Sequence, residues 1–245
     1  LRIRAVLRLL LPLLLAGSGA VPPVRAAEDL AALRAKVRAA YGGDAAAELR
    51  GFRARGRILQ MASGVGGQVE LAVAVDGSLR SEARYPDRTE VRILQGPLVW
   101  SGGAGRQPFA PRDAADAIRL EFHRLAAPFE LIAAPEGELL ADGSTEEGWT
   151  RVARRWDDRA RTVYEIDADG RIRRIRGEIA AADGQLRRFD SEAHDFREVS
   201  GVLFPFRTTT IDGGQIIAEI VLERVTLVRE FGAKDFRPAD AAGDI

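Results

Sequence analysis

The sequence predicts a mainly β protein of the α+β class, an antiparallel meander of about 11–12 strands with an N-terminal helix and one helical insert. Three observations carry this. Apolar and polar residues alternate over long stretches, as Val69, Leu71, Val73 and Val75 do with Glu70, Ala72, Ala74 and Asp76. Asp-Gly pairs punctuate the alternation at 76–77, 142–143, 169–170, 183–184 and 212–213. Both residue types tolerate the positive φ of a hairpin turn. Helical spacing of apolar residues is confined to two places.

The chain opens on the three parts of a secretory signal. Arg2, Arg4 and Arg8 are followed by an apolar run over 9–15 interrupted by Pro12, then small residues, then Val24, Arg25 and Ala26 before Ala27. Residues 1–26 therefore read as a removable signal peptide, with Leu1 as an alternative start codon, and 27–245 as a single domain. The apolar run is well short of the ~20 residues of a membrane span. Twin arginines are absent, which points to the general secretion route.

A first helix is expected over 28–41, where Leu30, Leu33, Val37 and Tyr41 share a face and Gly42-Gly43 ends it. Strands are expected near 48–61, 66–76, 78–85, 88–95, 97–102, 137–143, 147–156, 160–167, 171–181, 185–196, 202–212 and 214–228. Between the fifth and sixth, Asp113 caps a helix after Pro111, with Ile118, Phe122 and Leu125 on one face. Pro128 is expected to break it, leaving a second short turn with Phe129, Leu131 and Ile132. The last strand is apolar on both faces. It is either covered on both sides or switches faces at a bulge.

The whole chain has 36 Lys+Arg and 36 Asp+Glu. Residues 1–26 hold four Arg and no acid, so the exported part has 32 basic and 36 acidic residues, a net of −4. That balance gives no basis for nucleic acid or an anionic membrane as partner. There is no cysteine. Disulfides, thiol chemistry, Cys-based metal sites and lipidation of a mature N-terminal Cys are thereby excluded, and a hydrophobic core must hold the fold.

Reactive motifs are missing. No nucleophile elbow, phosphate loop, His-Glu-x-x-His or dinucleotide fingerprint occurs. His123 and His194 lack partners at metal-ligand spacing and read as ordinary, surface or partly buried histidines. The acidic run Asp190, Glu192 and Asp195 around His194 reads as a solvated strand face, since hard cations want oxygen ligands converging from a loop. The glycine-rich 63–67 reads as a hairpin tip. Phe122, Phe129, Leu131 and Ile132 of the insert have two readings, a plug in the core or a lid over an apolar cavity.

Several phrases resemble the LolA/LolB-like superfamily of outer-membrane lipoprotein carriers. They are 49–56 on the first strand, the turn Arg84-Tyr85-Pro86-Asp87-Arg88, and 196–205, whose bend Val199-Ser200-Gly201-Val202-Leu203-Phe204-Pro205 precedes two closing strands. The closing Phe231 and Phe236 fit too. The resemblance implies an unclosed, half-open β-barrel with helices packed in its mouth. It also implies an apolar concave side that holds an acyl chain.

On that basis Ile118, Phe122, Leu125, Phe129 and Ile132, with Val73, Ile220 and Leu222, are the expected cavity or lid residues. One of Arg53, Arg55 and Arg57 is the candidate functional arginine. The implied function is that of a soluble, monomeric periplasmic carrier for a lipid or lipoprotein acyl chain, without cofactor, metal or chemistry. An envelope transporter or outer-membrane receptor is the implied partner. An accessory envelope protein with a self-filled core, and a hydrolase, are the alternatives. The sequence departs from characterised carriers in length and in the Tyr85-Pro86-Asp87 turn, which leaves the cargo open.

Overall fold

A computed structural model describes residues 23–103, 112–135, 137–180, 186–232 and 234–238. Residues 1–22 of the expected signal, Pro111, and the Asp183-Gly184 turn lie outside these. Helix α1 (Pro23–Ala40) starts upstream of the expected cleavage point, so cleavage after Ala26 would trim its first turn. Gly42 and Gly43, both at positive φ, end it. The carbonyl of Gly201 lies where a Gly42 side chain would sit, so the turn packs directly on the bend before the closing strands. A one-turn helix α2 (Asp44–Ala47), not anticipated from the sequence, follows.

Twelve strands come next: β1 (Gly51–Gln60), β2 (Val65–Ala74), β3 (Ser78–Arg84), β4 (Thr89–Gln95) and β5 (Leu98–Gly102); then, after helix α3 (Arg112–Ala133), β6 (Leu139–Ser144), β7 (Thr150–Arg155), β8 (Ala160–Ile166), β9 (Ile172–Ala180), β10 (Leu186–Val199), β11 (Val202–Asp212) and β12 (Gln215–Val228). They form one antiparallel sheet in the order β5-β4-β3-β2-β1-β12-β11-β10-β9-β8-β7-β6. Two meanders are thus joined where β1 pairs with β12. The edges β5 and β6 do not pair among the described residues, and the sheet is not closed into a barrel. Helix α3 connects these edges. It touches β2, β4 and β5 on one wing and β8 and β9 on the other. One helix reaches both wings only if the sheet wraps around it.

Three expectations change and one left open is settled. Pro128 does not break the insert: α3 runs through it. A proline inside a helix costs ~3 kcal/mol, but Ala126, Ala127 and Phe129 around it are buried, and that packing keeps the helical path. Asp142-Gly143 is no hairpin turn. It lies inside β6, where the register with β7 shifts and Gly143 takes positive φ.

The two-faced β12 is settled as a face switch. Its pairings with β1 and β11 each slip by one residue, so Ile220 and Val225, of opposite parity, both point inward. Lastly, Ala72 and Ala74, expected on the solvent side, are buried beneath Phe236 together with Ile93. Alternation within a strand does not register a distant tail, and here the segment carrying Phe231 and Phe236 folds back over the outer face.

The main core fills the end of the trough next to α1. The rings of Phe52, Phe129 and Phe204 cluster there, Phe52 and Phe204 with centroids 5.1 Å apart. Fully buried Tyr41 accepts a hydrogen bond from the Ile172 N–H at 3.2 Å, tying α1 to β9.

Candidate functional site

The opposite end of the trough is lined by small residues. Ser81 and Ala83 on β3, Gly177 on β9, Ser191 on β10, Ala218 on β12 and Ala117 on α3 surround a cavity of about 620 Å³. Large residues plug one end, and small ones leave the other hollow. Its walls are mainly apolar, with Ile58, Val69, Ile118, Leu120, Ile175 and Ile220. The size falls within the ~300–1,000 Å³ of ordinary ligand pockets. Gly177 sets the height of α3. A Cβ there would lie 2.7 Å from a Leu120 methyl, so the absent side chain is what lets the helix settle on the sheet.

Charged groups border this space from α3 and β4 (Glu121, Arg124, Glu90 and Arg92) and from β10 (Asp190). Arg92 Nη1 donates to Glu121 Oε2 at 2.9 Å. Arg124 Nη1 donates to Thr210 Oγ1 at 2.6 Å, while its buried Nε has no partner among the described residues. Burial by itself raises the Glu121 carboxyl. The charges of Arg92 and Arg124, with hydrogen bonds from Arg92 and Ser81, outweigh it and hold the group below the usual carboxylate range. Burial pushes the Arg124 guanidinium down, opposed by Glu121.

Of the residues expected from the sequence, Ile118 and Ile220 line the cavity. Both also belong to the buried core, as do Val73, Phe122 and Phe129, which do not reach the cavity; Leu125, Ile132 and Leu222 pack partly buried against that core. Phe122, Phe129, Leu131 and Ile132 thus follow the plug reading, while Ile118, Leu120, Glu121 and Arg124 of the same helix border the cavity.

Arg53, Arg55 and Arg57 all point to the outer face, because their neighbours Phe52, Ala54 and Gly56 point in. Arg53 pairs with Asp235 at 2.6 Å and lies over the Phe231 ring. Arg57 pairs with Glu223 at 3.2 Å. Arg55 borders a shallow polar groove with Glu70, Arg80 and Glu82.

The two histidines also lie apart from the cavity. His123 stacks on Trp156 and its Nδ1 lies 3.1 Å from both Glu130 carboxylate oxygens. His194 lies beside Glu192; burial, then Arg207, pushes its imidazole below the ordinary value. Asp190 and Glu192 are held by Arg176 and Arg174, each at 2.7 Å.

Sequence reasoning missed Arg92, Glu121 and Arg124. A signal existed: Glu121 falls three residues after Ile118 and four before Leu125, inside the apolar stripe of the insert, and Arg124 follows at the next i+3 position.

No protein-family model matches the chain, and no curated protein matches it. Solved structures do. A LolA superfamily protein from Nitrosomonas europaea superposes with a TM-score of 0.50 at 12% identity, over 81% of this chain and 98% of its own. A DUF1329 family protein from Desulfovibrio piger gives a TM-score of 0.45 at 13% identity, over 89% of this chain and 98% of its own. MucB gives 0.29 at 12% identity, over 87% of this chain and 63% of its own. At such identity the likeness is one of fold. The chain has a divergent LolA-like fold.

Proposed function

We propose that this chain is a periplasmic carrier or binding protein that shelters the acyl part of a lipid or lipoprotein in the cavity beside α3 and does no chemistry on it. The observation that carries this is the cavity itself, an apolar space of about 620 Å³ inside a sheet otherwise packed to its core. Each methylene withdrawn from water gains ~0.8 kcal/mol, so a mobile acyl chain needs a recess with such mainly apolar walls. Among the described residues no helix is long and apolar enough to cross a membrane. The secretory pattern of residues 1–26 supports export. On this reading the protein works as a soluble monomer and hands its cargo to or from an envelope transporter or an outer-membrane receptor.

The test is direct. Protein purified from an exporting host is extracted with organic solvent and the extract is analysed by mass spectrometry. Stoichiometric lipid is expected. A clean extract, with no uptake of a fluorescent fatty-acid probe, refutes the carrier and favours an accessory module acting by protein contacts.

A further inference from the structure

Each acid bordering the cavity has an arginine of its own. Glu121 is held by Arg92 at 2.9 Å, Glu90 by Arg88 at 2.8 Å and Asp190 by Arg176 at 2.7 Å. Arg124 is the cation of the cavity without a direct ion pair among the described residues, although the Glu121 charge still acts on it. Among the described residues its guanidinium meets one hydroxyl, Thr210, and no carboxylate within ion-pair distance. A guanidinium stays protonated in proteins and presents five donors. Three on Nη1 and Nη2 remain to be satisfied beyond the bond to Thr210, and water or an anion entering the cavity is what can reach them. An oxyanion held there meets a planar donor fork in a partly dehydrated site, where charge-assisted hydrogen bonds are strongest.

Size bounds the rest of the ligand. About 620 Å³ lies within the ~300–1,000 Å³ of ordinary ligand pockets, room for an acyl chain. Ile118, one to two turns before Arg124 on α3, borders the same space as Ile58 and Ile220, so a tail can lie along these walls with its head on Arg124.

We propose that Arg124 is the headgroup anchor of the cavity, and that the ligand is an amphiphile with an oxyanion head, a carboxylate or a phosphate. This rests on the carrier reading and narrows its cargo.

The experiment uses delipidated protein and three probes of equal chain length, hexadecanoate, hexadecyl phosphate and hexadecanol, each displacing a fluorescent fatty-acid probe. At least one anion is expected to bind 1:1 and about tenfold or more tighter than the alcohol. Arg124→Gln should bring the anions down to the level of the alcohol and leave hexadecanol unchanged. Arg124→Lys should restore part of the preference. The better anion names the head, and either result supports the proposal.

Equal affinity for anions and alcohol in the wild type overturns the anchor while leaving the carrier standing. Failure of all three probes to bind overturns the carrier as well. An Arg124→Gln protein that loses anion and alcohol binding alike assigns Arg124 a structural role and also overturns the proposal. Should that variant not fold, the wild-type ranking decides. Thr210→Val, which frees Nη1 but keeps the guanidinium, should preserve the anion preference.

Discussion

Phe129→Ala separates the plug from the lid. Phe129 is 4% exposed and packs against the rings of Phe52 and Phe204 at centroid distances of 6.2 and 5.6 Å. Truncating a buried phenylalanine costs ~3–5 kcal/mol. Two aromatic neighbours, each adding ~0.5–1.5 kcal/mol, place this site in the upper half of that range, at about 4 kcal/mol or more. A domain of this length loses ~2–4 °C of Tm per kcal/mol, so a drop of roughly 8–16 °C is expected. Urea unfolding at constant m measures the loss, and fluorescent-probe titration of the folded variant measures uptake. Uptake should change little, because Phe129 does not line the cavity. A stability loss under ~1 kcal/mol together with improved uptake would refute the packing argument and make Phe129 a yielding lid.

Other outcomes follow from single contacts. Gly177→Leu introduces a side chain where a Cβ already meets Leu120 at 2.7 Å, so it should drive bulk into the cavity and abolish probe uptake; normal uptake by a folded variant would disprove the assignment of the cavity. Tyr41→Phe should cost ~1–3 kcal/mol in urea denaturation by leaving the Ile172 N–H unpaired, and a neutral result would mean water replaces the hydroxyl. Glu121 has a depressed folded pKa, so its stabilisation is present above the ordinary value of 4.5 and is lost as the pH falls through the folded value. Below pH 4.5 wild-type urea midpoints should therefore fall relative to those of Glu121→Gln; parallel profiles would show that Arg92 and Arg124 do not hold the carboxylate.

Much of the fold was legible because hairpins are local. Strand alternation and the turns at Asp76-Gly77, Asp169-Gly170 and Asp212-Gly213 each depend on a few adjacent residues, and each lies between strands where it was expected. The site was less legible. Ile118, Phe122 and Phe129 are apolar side chains of one helix and all three join the core, yet only Ile118 also borders the cavity. Periodicity reports that a face is apolar, not whether the opposing strands bring Phe204 or Ser191 to meet it. The arginines of β1 were drawn in by their regular alternation, which in fact turns all three outward.

The sequence by itself determined an antiparallel, cysteine-free β protein with one helical insert, because period and turn chemistry act over short stretches of chain. Only the tertiary structure decided that α3 bridges the two edges of the sheet, that β12 changes face, and that Arg92, Glu121 and Arg124 share one recess. These depend on residues dozens of positions apart, as with Arg124 and Thr210, whose meeting is fixed by the wrap of the sheet around the helix. The hollow has the same origin. It exists where small side chains from several strands converge on one volume, a coincidence in space that no local stretch of chain encodes.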